Sequence, residues 1–178
     1  AAWDEAGQTS HILVRPANPG SIDQTNLRSV INRDALDALL NYIKINVAHI
    51  VSCRDSDDSN SKNVPMFMHT YALARPRDAG VKFLGIRRGP WLYPAFKWLG
   101  ISEVLWLDLS RILLEELAAC LKSLAMPHLH IVDTLSRTTT MVPASAGSTG
   151  RSNDWENEIH PSASGYRKLA TTWAEDIP

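Results

Sequence analysis

Apolar residues return every three to four positions between Leu36 and Val51: Leu36, Leu39, Leu40, Ile43, Val47, Ile50 and Val51. That period is one face of an α-helix, and Asn32 stands where a side chain can cap the first turn. A second run, Leu105, Leu109, Ile112, Leu113, Leu117, Cys120, Leu121 and Leu124, makes a broader apolar face over Glu103 to Ala125, and Pro127 ends it. Two shorter runs lack the helical period. Val64 to Tyr71 is mostly apolar and suits a buried parallel strand, and Leu129 to Asp133 reads as a second strand. A terminal helix is expected after Pro161, capped by Ser162 or Ser164 and carrying Leu169, Ala170 and Trp173. Short buried strands among helices point to the α/β class.

The stretches between these runs are polar or broken. Ala1 to Gly20 reads as irregular, with Ile12 to Val14 as a short strand that Pro16 and Pro19 soon end. Asn26 to Asn32 reads as a short helix or a lead-in to the long one. Asp55, Asp57 and Asp58 cluster within a polar stretch from Arg54 to Lys62. The cluster lacks the glycine and the distant glutamate of a calcium loop, which favours a solvated connection. Ala72 to Tyr93 is a long loop punctuated by Pro76, Gly80, Gly85, Gly89 and Pro90, and long loops in compact domains usually carry function. Thr134 to Ser152, rich in Ser, Thr and Gly, is expected to be a mobile loop.

Composition narrows the classes. At 178 residues the chain has the length of one domain, taken as residues 1–178. The net charge of -1 gives no electrostatic footprint for nucleic acid. No apolar run is long enough to span a bilayer and no signal peptide is visible, which leaves a soluble protein, cytoplasmic or secreted. Cys53 and Cys120 form neither a zinc pattern nor a redox motif; they could pair, but Cys120 lies in an apolar helical pattern and reads as a buried thiol. No motif calls for a metal or a cofactor.

Candidate chemistry concentrates in Asn153 to Ala170. Pro161 pushes His160 toward extended geometry and places it on the last loop before the terminal helix, with Asp154, Glu156 and Glu158 close by in sequence. An imidazole on a scaffolded loop, with an acid to orient it, is what a general base needs; the bland alternative is a solvent-exposed loop histidine. His69 and Tyr71 fall at the end of the Val64 strand, where ligands bind in open α/β sheets; the alternative is a core histidine bonded to a loop carbonyl. Arg75, Arg77, Arg87 and Arg88 make the long loop basic, either for an anionic substrate or as a solvated surface. Trp91, Tyr93, Phe96 and Trp98 either wall an apolar pocket or pack as core. His49, near the C-terminus of the first long helix, is assigned no chemistry.

The run Trp155 to Leu169, with His160-Pro161 inside it, resembles the final block of the SGNH/GDSL hydrolase family, whose catalytic histidine precedes a proline and a closing helix. Val64 to Tyr71, Arg75-Pro76, Gly89 to Pro94 and His130 to Asp133 resemble, in the same order, the middle of a bacterial subgroup of that family, so the likeness covers roughly residues 27 to 175. It implies a three-layer α/β/α, flavodoxin-like fold with a parallel sheet of about five strands, of which this chain holds only the last. It implies an ester hydrolase with His160 as general base and His69, Tyr71 and Trp91 around a small-molecule ester.

The family's Gly-Asp-Ser nucleophile block and its Gly-x-Asn-Asp block do not occur here, and neither does a Gly-x-Ser-x-Gly elbow. The expectation is therefore a C-terminal portion of such a hydrolase, with the serine and oxyanion hole on another segment or partner chain. The family's aspartate three residues before the histidine is Asn157 in this sequence, and Asp154 is the nearest carboxylate that could replace it. The alternative is a non-catalytic binding or assembly subunit that keeps the fold, using its aromatic and basic loop or its open sheet edge.

Overall fold

Asn32 opens the first long helix by accepting the Ala35 N–H on its side-chain oxygen at 3.2 Å, the bond that a capping residue supplies to an otherwise unpaired amide. The computed structural model describes residues 11–14 and 22–177. The expectation of irregular chain over Ala1 to Gly20 lies outside the described residues, apart from residues 11–14. Helix α1 runs Arg33–Arg54 and buries Leu36, Leu40, Val47 and Val51. Leu39 and Ile50, expected on the same face, are exposed, so the buried stripe is narrower than the apolar period suggested. Ahead of α1, Leu13 and Ile31 form a single antiparallel bridge rather than a strand, and Leu27–Val30 is a 3-10 helix.

Strand β1 (Met66–His69) pairs with β4 (Leu129–Val132) in parallel, with Met66 opposite Leu129 and His69 opposite Val132. Between them the chain makes an antiparallel hairpin, β2 (Val81–Phe83) with β3 (Ile86–Arg88), inside the stretch expected to be an irregular loop. Leu84 and Gly85 turn that hairpin with positive φ at both positions, the backbone geometry that two-residue hairpin turns require. Helix α2 spans Tyr93–Trp98, and α3 spans Trp106–Lys122 after a 3-10 turn at Glu103–Leu105. The short α4 (Thr134–Arg137) starts directly after β4 and is capped by Asp133, whose carboxylate accepts the Ser136 N–H at 3.3 Å; this shortens the expected loop from its first residue. Helix α5 (Ala163–Ala174) is capped by Ser162, not Ser164: the Ser162 hydroxyl accepts the Gly165 N–H at 3.3 Å.

The result is a mixed helix-and-strand fold with a small parallel sheet. Three clusters of buried apolar side chains hold it. Leu36 and Leu40 of α1 meet Cys120 of α3. Leu27, Phe96, Leu105, Trp106 and Leu109 join α2 and α3 to the segment before α1. Ala72, Ala74, Ala144, Trp155 and Leu169 anchor the His160 segment to the end of β1 and to α5. Both cysteines are free thiols, with Cys120 buried as expected and Cys53 exposed. No helix among the described residues is long and apolar enough to cross a membrane.

Candidate active site

The segment before α5 is folded tightly on itself. Ser152 and Trp155 exchange backbone hydrogen bonds at 2.8 and 3.0 Å, and the fully buried Trp155 indole plugs the cluster under Ala72 and Leu169. Ser162 N–H donates to the Asp154 carbonyl at 2.7 Å, and Glu156 N–H donates to the His160 carbonyl at 2.9 Å. These bonds close a loop whose tip presents His160, an exposed side chain, to solvent.

Asn157 orients that imidazole. Its side-chain oxygen accepts the backbone N–H groups of Ile159 at 3.1 Å and His160 at 2.9 Å, which fixes the oxygen, not the amide nitrogen, at this end. The same oxygen lies 3.0 Å from Nδ1 of His160. Nδ1 must then carry the ring proton, and Nε2 of the neutral ring keeps its lone pair. Trp91 stands edge-on to the ring, with centroids 5.6 Å apart.

Asp154 does not serve as the carboxylate partner of His160. It is buried, and its oxygens accept from Val142 N at 2.7 Å, Ser164 Oγ at 3.0 Å and Lys168 Nζ at 2.6 Å. Burial pushes its carboxyl upward, but the Lys168 ammonium, the Val142 amide and the Ser164 hydroxyl outweigh that and hold it below the ordinary carboxylate range. Its bonds join the loop to the start of α5, and the side chain that meets the imidazole is Asn157.

Glu158, one of the carboxylates close to His160 in sequence, ties the site together without meeting the imidazole. Its carboxylate is fully buried and accepts four backbone N–H groups, those of Arg77, Trp91, Leu92 and Tyr93. Glu158 N–H in turn donates to the Ala79 carbonyl at 2.9 Å. Arg77, expected on a basic surface, is 1% exposed instead. Its guanidinium donates to the Asn157 carbonyl at 2.6 Å, to the Gly150 carbonyl and to Ser148. Burial lowers its pKa, while the Glu158 charge opposes that shift. Arg75 is also drawn in, through a bond from Nε to the Ala144 carbonyl at 2.8 Å. The sequence did not mark Arg77 and Glu158 as buried, since burial of a charge depends on partners some 80 positions away.

His69 and Tyr71 do come together with His160. All three line one cavity of about 260 Å³, with Tyr166 and Leu169 of α5 on its far wall. The Tyr71 hydroxyl donates to the Ile159 carbonyl, next to the base. Burial, with the nearby Tyr166 and Glu158 charges, pushes the Tyr71 phenol up to about 12, so it remains a protonated donor. Tyr71 has φ of 74°, an uncommon backbone state for a bulky residue, and the Thr134 hydroxyl holds its carbonyl at 2.6 Å. Trp91 lies outside this cavity. It walls a separate apolar groove of about 550 Å³ together with Phe96, Trp98 and Leu113, so the aromatic group divides between groove and core, with Tyr93 packed edge-on to Trp106 at 5.6 Å. Among the described residues no three His, Cys, Asp or Glu side chains gather as metal ligands.

No family model, curated protein or solved structure matches the chain. The functional reading therefore rests on the residues and on the geometry they make.

Proposed function

We infer that this chain is the base-bearing part of an ester hydrolase of the SGNH type, with His160 as the general base. One observation carries the reading: an exposed imidazole whose Nδ1 is pinned by an amide oxygen that two backbone N–H groups hold in place. The proton is thus fixed on Nδ1, and Nε2 is left as a base at the mouth of a cavity. A serine hydroxyl is a poor nucleophile until such a ring takes its proton. The ring then returns that proton to the leaving alcohol. In this reading the serine and the oxyanion donors come from a further segment or chain, and the three-layer fold is completed by it. The parallel sheet supports that, since β1 and β4 are its only strands among the described residues and Met66 to His69 are only half-buried.

The competing reading is a non-catalytic binding or assembly subunit. It is favoured by the lining of the cavity, which among the described residues includes no serine. One experiment separates the two. The protein is isolated in its native, assembled form and assayed on a short-chain chromogenic ester, with and without His160→Ala. A serine-directed fluorophosphonate is applied in parallel. Loss of about 10³-fold or more in rate, with loss of labelling, supports the hydrolase. Equal rates in the two proteins remove His160 from the chemistry, and no rate with no labelling leaves the binding subunit.

A further inference from the structure

His69 takes no part in the proton transfers proposed for His160, yet it lines the same cavity. The Thr134 hydroxyl has a single proton, and at 2.6 Å from the Tyr71 carbonyl, which can only accept, that proton is directed there. The same oxygen lies 3.0 Å from Nδ1 of His69, so it accepts from the ring. Nδ1 of His69 therefore carries the proton, and Nε2 of the neutral ring is an acceptor. Burial lowers the His69 pKa and favours that neutral form. His69 borders two adjoining cavities. One is the 260 Å³ space shared with His160, and the other, of about 480 Å³, runs along α5 beside Trp173. His69, Tyr166 and Leu169 line both, so the two cavities adjoin along these side chains. Trp173 and Tyr71 flank the imidazole, with centroids 5.6 and 6.0 Å away.

In a cavity with apolar and aromatic walls, an oriented acceptor beside the base can select a substrate by its hydroxyl. We propose that Nε2 of His69 accepts a hydrogen bond from a hydroxyl on the alcohol portion of the substrate, so that the preferred esters are mono-esters of diols or polyols. This rests on the hydrolase reading, in which the ring of His160 protonates the leaving alcohol and so places that alcohol in the cleft both histidines share. The groove that Trp91 walls shares no lining residue with this cleft.

The test compares cyclohexyl acetate with its 2-, 3- and 4-hydroxy analogues, using the native, assembled protein. At least one hydroxylated ester is expected to show kcat/KM about five- to tenfold above cyclohexyl acetate, the worth of one neutral hydrogen bond. His69→Phe is expected to bring that ratio to about one, and His69→Gln, which keeps an acceptor, to restore part of it. A ratio near one in the wild type, or one unchanged in His69→Phe, overturns the proposal. Should no ester be hydrolysed, the hydrolase reading fails separately, and the acceptor is read directly. The ¹⁵N signal of His69 Nε2 is followed while 1,2-cyclohexanediol or its dimethyl ether, which has no hydroxyl, is titrated. A saturable shift with the diol alone supports the acceptor role, and equal or absent shifts overturn it.

Discussion

The Glu158 carboxylate accepts the backbone N–H of Tyr93 at 2.6 Å, joining the loop that carries the candidate base to the start of α2. The other three N–H groups it accepts, those of Arg77, Trp91 and Leu92, lie between β1 and α2. A glutamine at this position would turn an amide NH₂ toward amides that need acceptors. Glu158→Gln is therefore expected to lower unfolding free energy by about 2–4 kcal/mol in urea denaturation. Glu156→Gln, at an exposed side chain with only a 3.8 Å approach to Arg151, is expected to stay within about 0.5 kcal/mol of wild type. Similar losses for the two would mean that the buried carboxylate does not hold the loops.

The elements with a long apolar period were legible in the chain. The α1 cap at Asn32, the end of α3 ahead of Pro127 and the two parallel strands follow from periodicity, capping chemistry and short apolar runs. The β2–β3 hairpin was hidden because Lys82, Leu84, Ile86 and Arg88 give it no clean alternation, although Gly85 marked the turn. The imidazole of His160 was legible through the following proline and helix cap. Its partner was legible only as a choice between Asn157 and Asp154, which Lys168 decides by holding Asp154 at 2.6 Å. The buried Arg77 and Glu158 could not be read in advance, because an isolated Arg or Glu on a loop is solvated until its distant partners are known.

Asn157 supplies an orienting amide where a carboxylate would also stabilise the imidazolium formed as the base takes its proton. Asn157→Asp preserves the acceptor oxygen for the Ile159 and His160 amides and adds the charge. Under the proposed function it is expected to raise kcat/KM for a short-chain ester by about tenfold. Asn157→Ala removes the acceptor and is expected to lower kcat/KM by about 10²-fold, with KM little changed, since the loss falls on the proton-transfer step. An unchanged rate in both variants, measured on the native assembled protein, would show that ring orientation does not limit the reaction.

Asp133 sets a pH dependence of stability. Burial pushes its carboxyl up, but the Lys122 ammonium, the Ser136 bonds and the Thr70 hydroxyl outweigh it and hold the pKa at about 2. An unfolded aspartate titrates near 3.9. The native-state advantage is thus complete above about pH 5 and is lost as pH falls through about 4 toward about 2. Asp133→Asn retains a cap for α4 and removes the charge. Wild type is expected to exceed this variant by about 1–2 kcal/mol at pH 6, with the difference shrinking at pH 4 and again at pH 3. A difference that stays constant across urea denaturations at the three pH values would show that the carboxylate charge is not its source.

A Cβ on Gly165 would lie 2.3 Å from the Asp154 carbonyl oxygen and 3.0 Å from Cβ of Pro161. Gly165 sits in the first turn of α5, and its lack of a side chain lets the loop from Asp154 to Pro161 close against the helix. The neighbour is backbone and is held by the Ser162 N–H at 2.7 Å, so it cannot move aside without opening the turn that presents His160. In a free helix, replacing glycine by alanine stabilises by up to about 1 kcal/mol, so propensity and packing oppose each other here. Packing is the larger effect, since overpacking against fixed atoms costs about 1–3 kcal/mol. Gly165→Ala is therefore expected to be net destabilising. Gly150→Ala, where a Cβ meets nothing within 4 Å, is expected to be neutral or slightly stabilising. Urea denaturation of both variants decides the point. A Gly165→Ala protein as stable as wild type would mean that the loop bearing the candidate base does not seat on α5 as described.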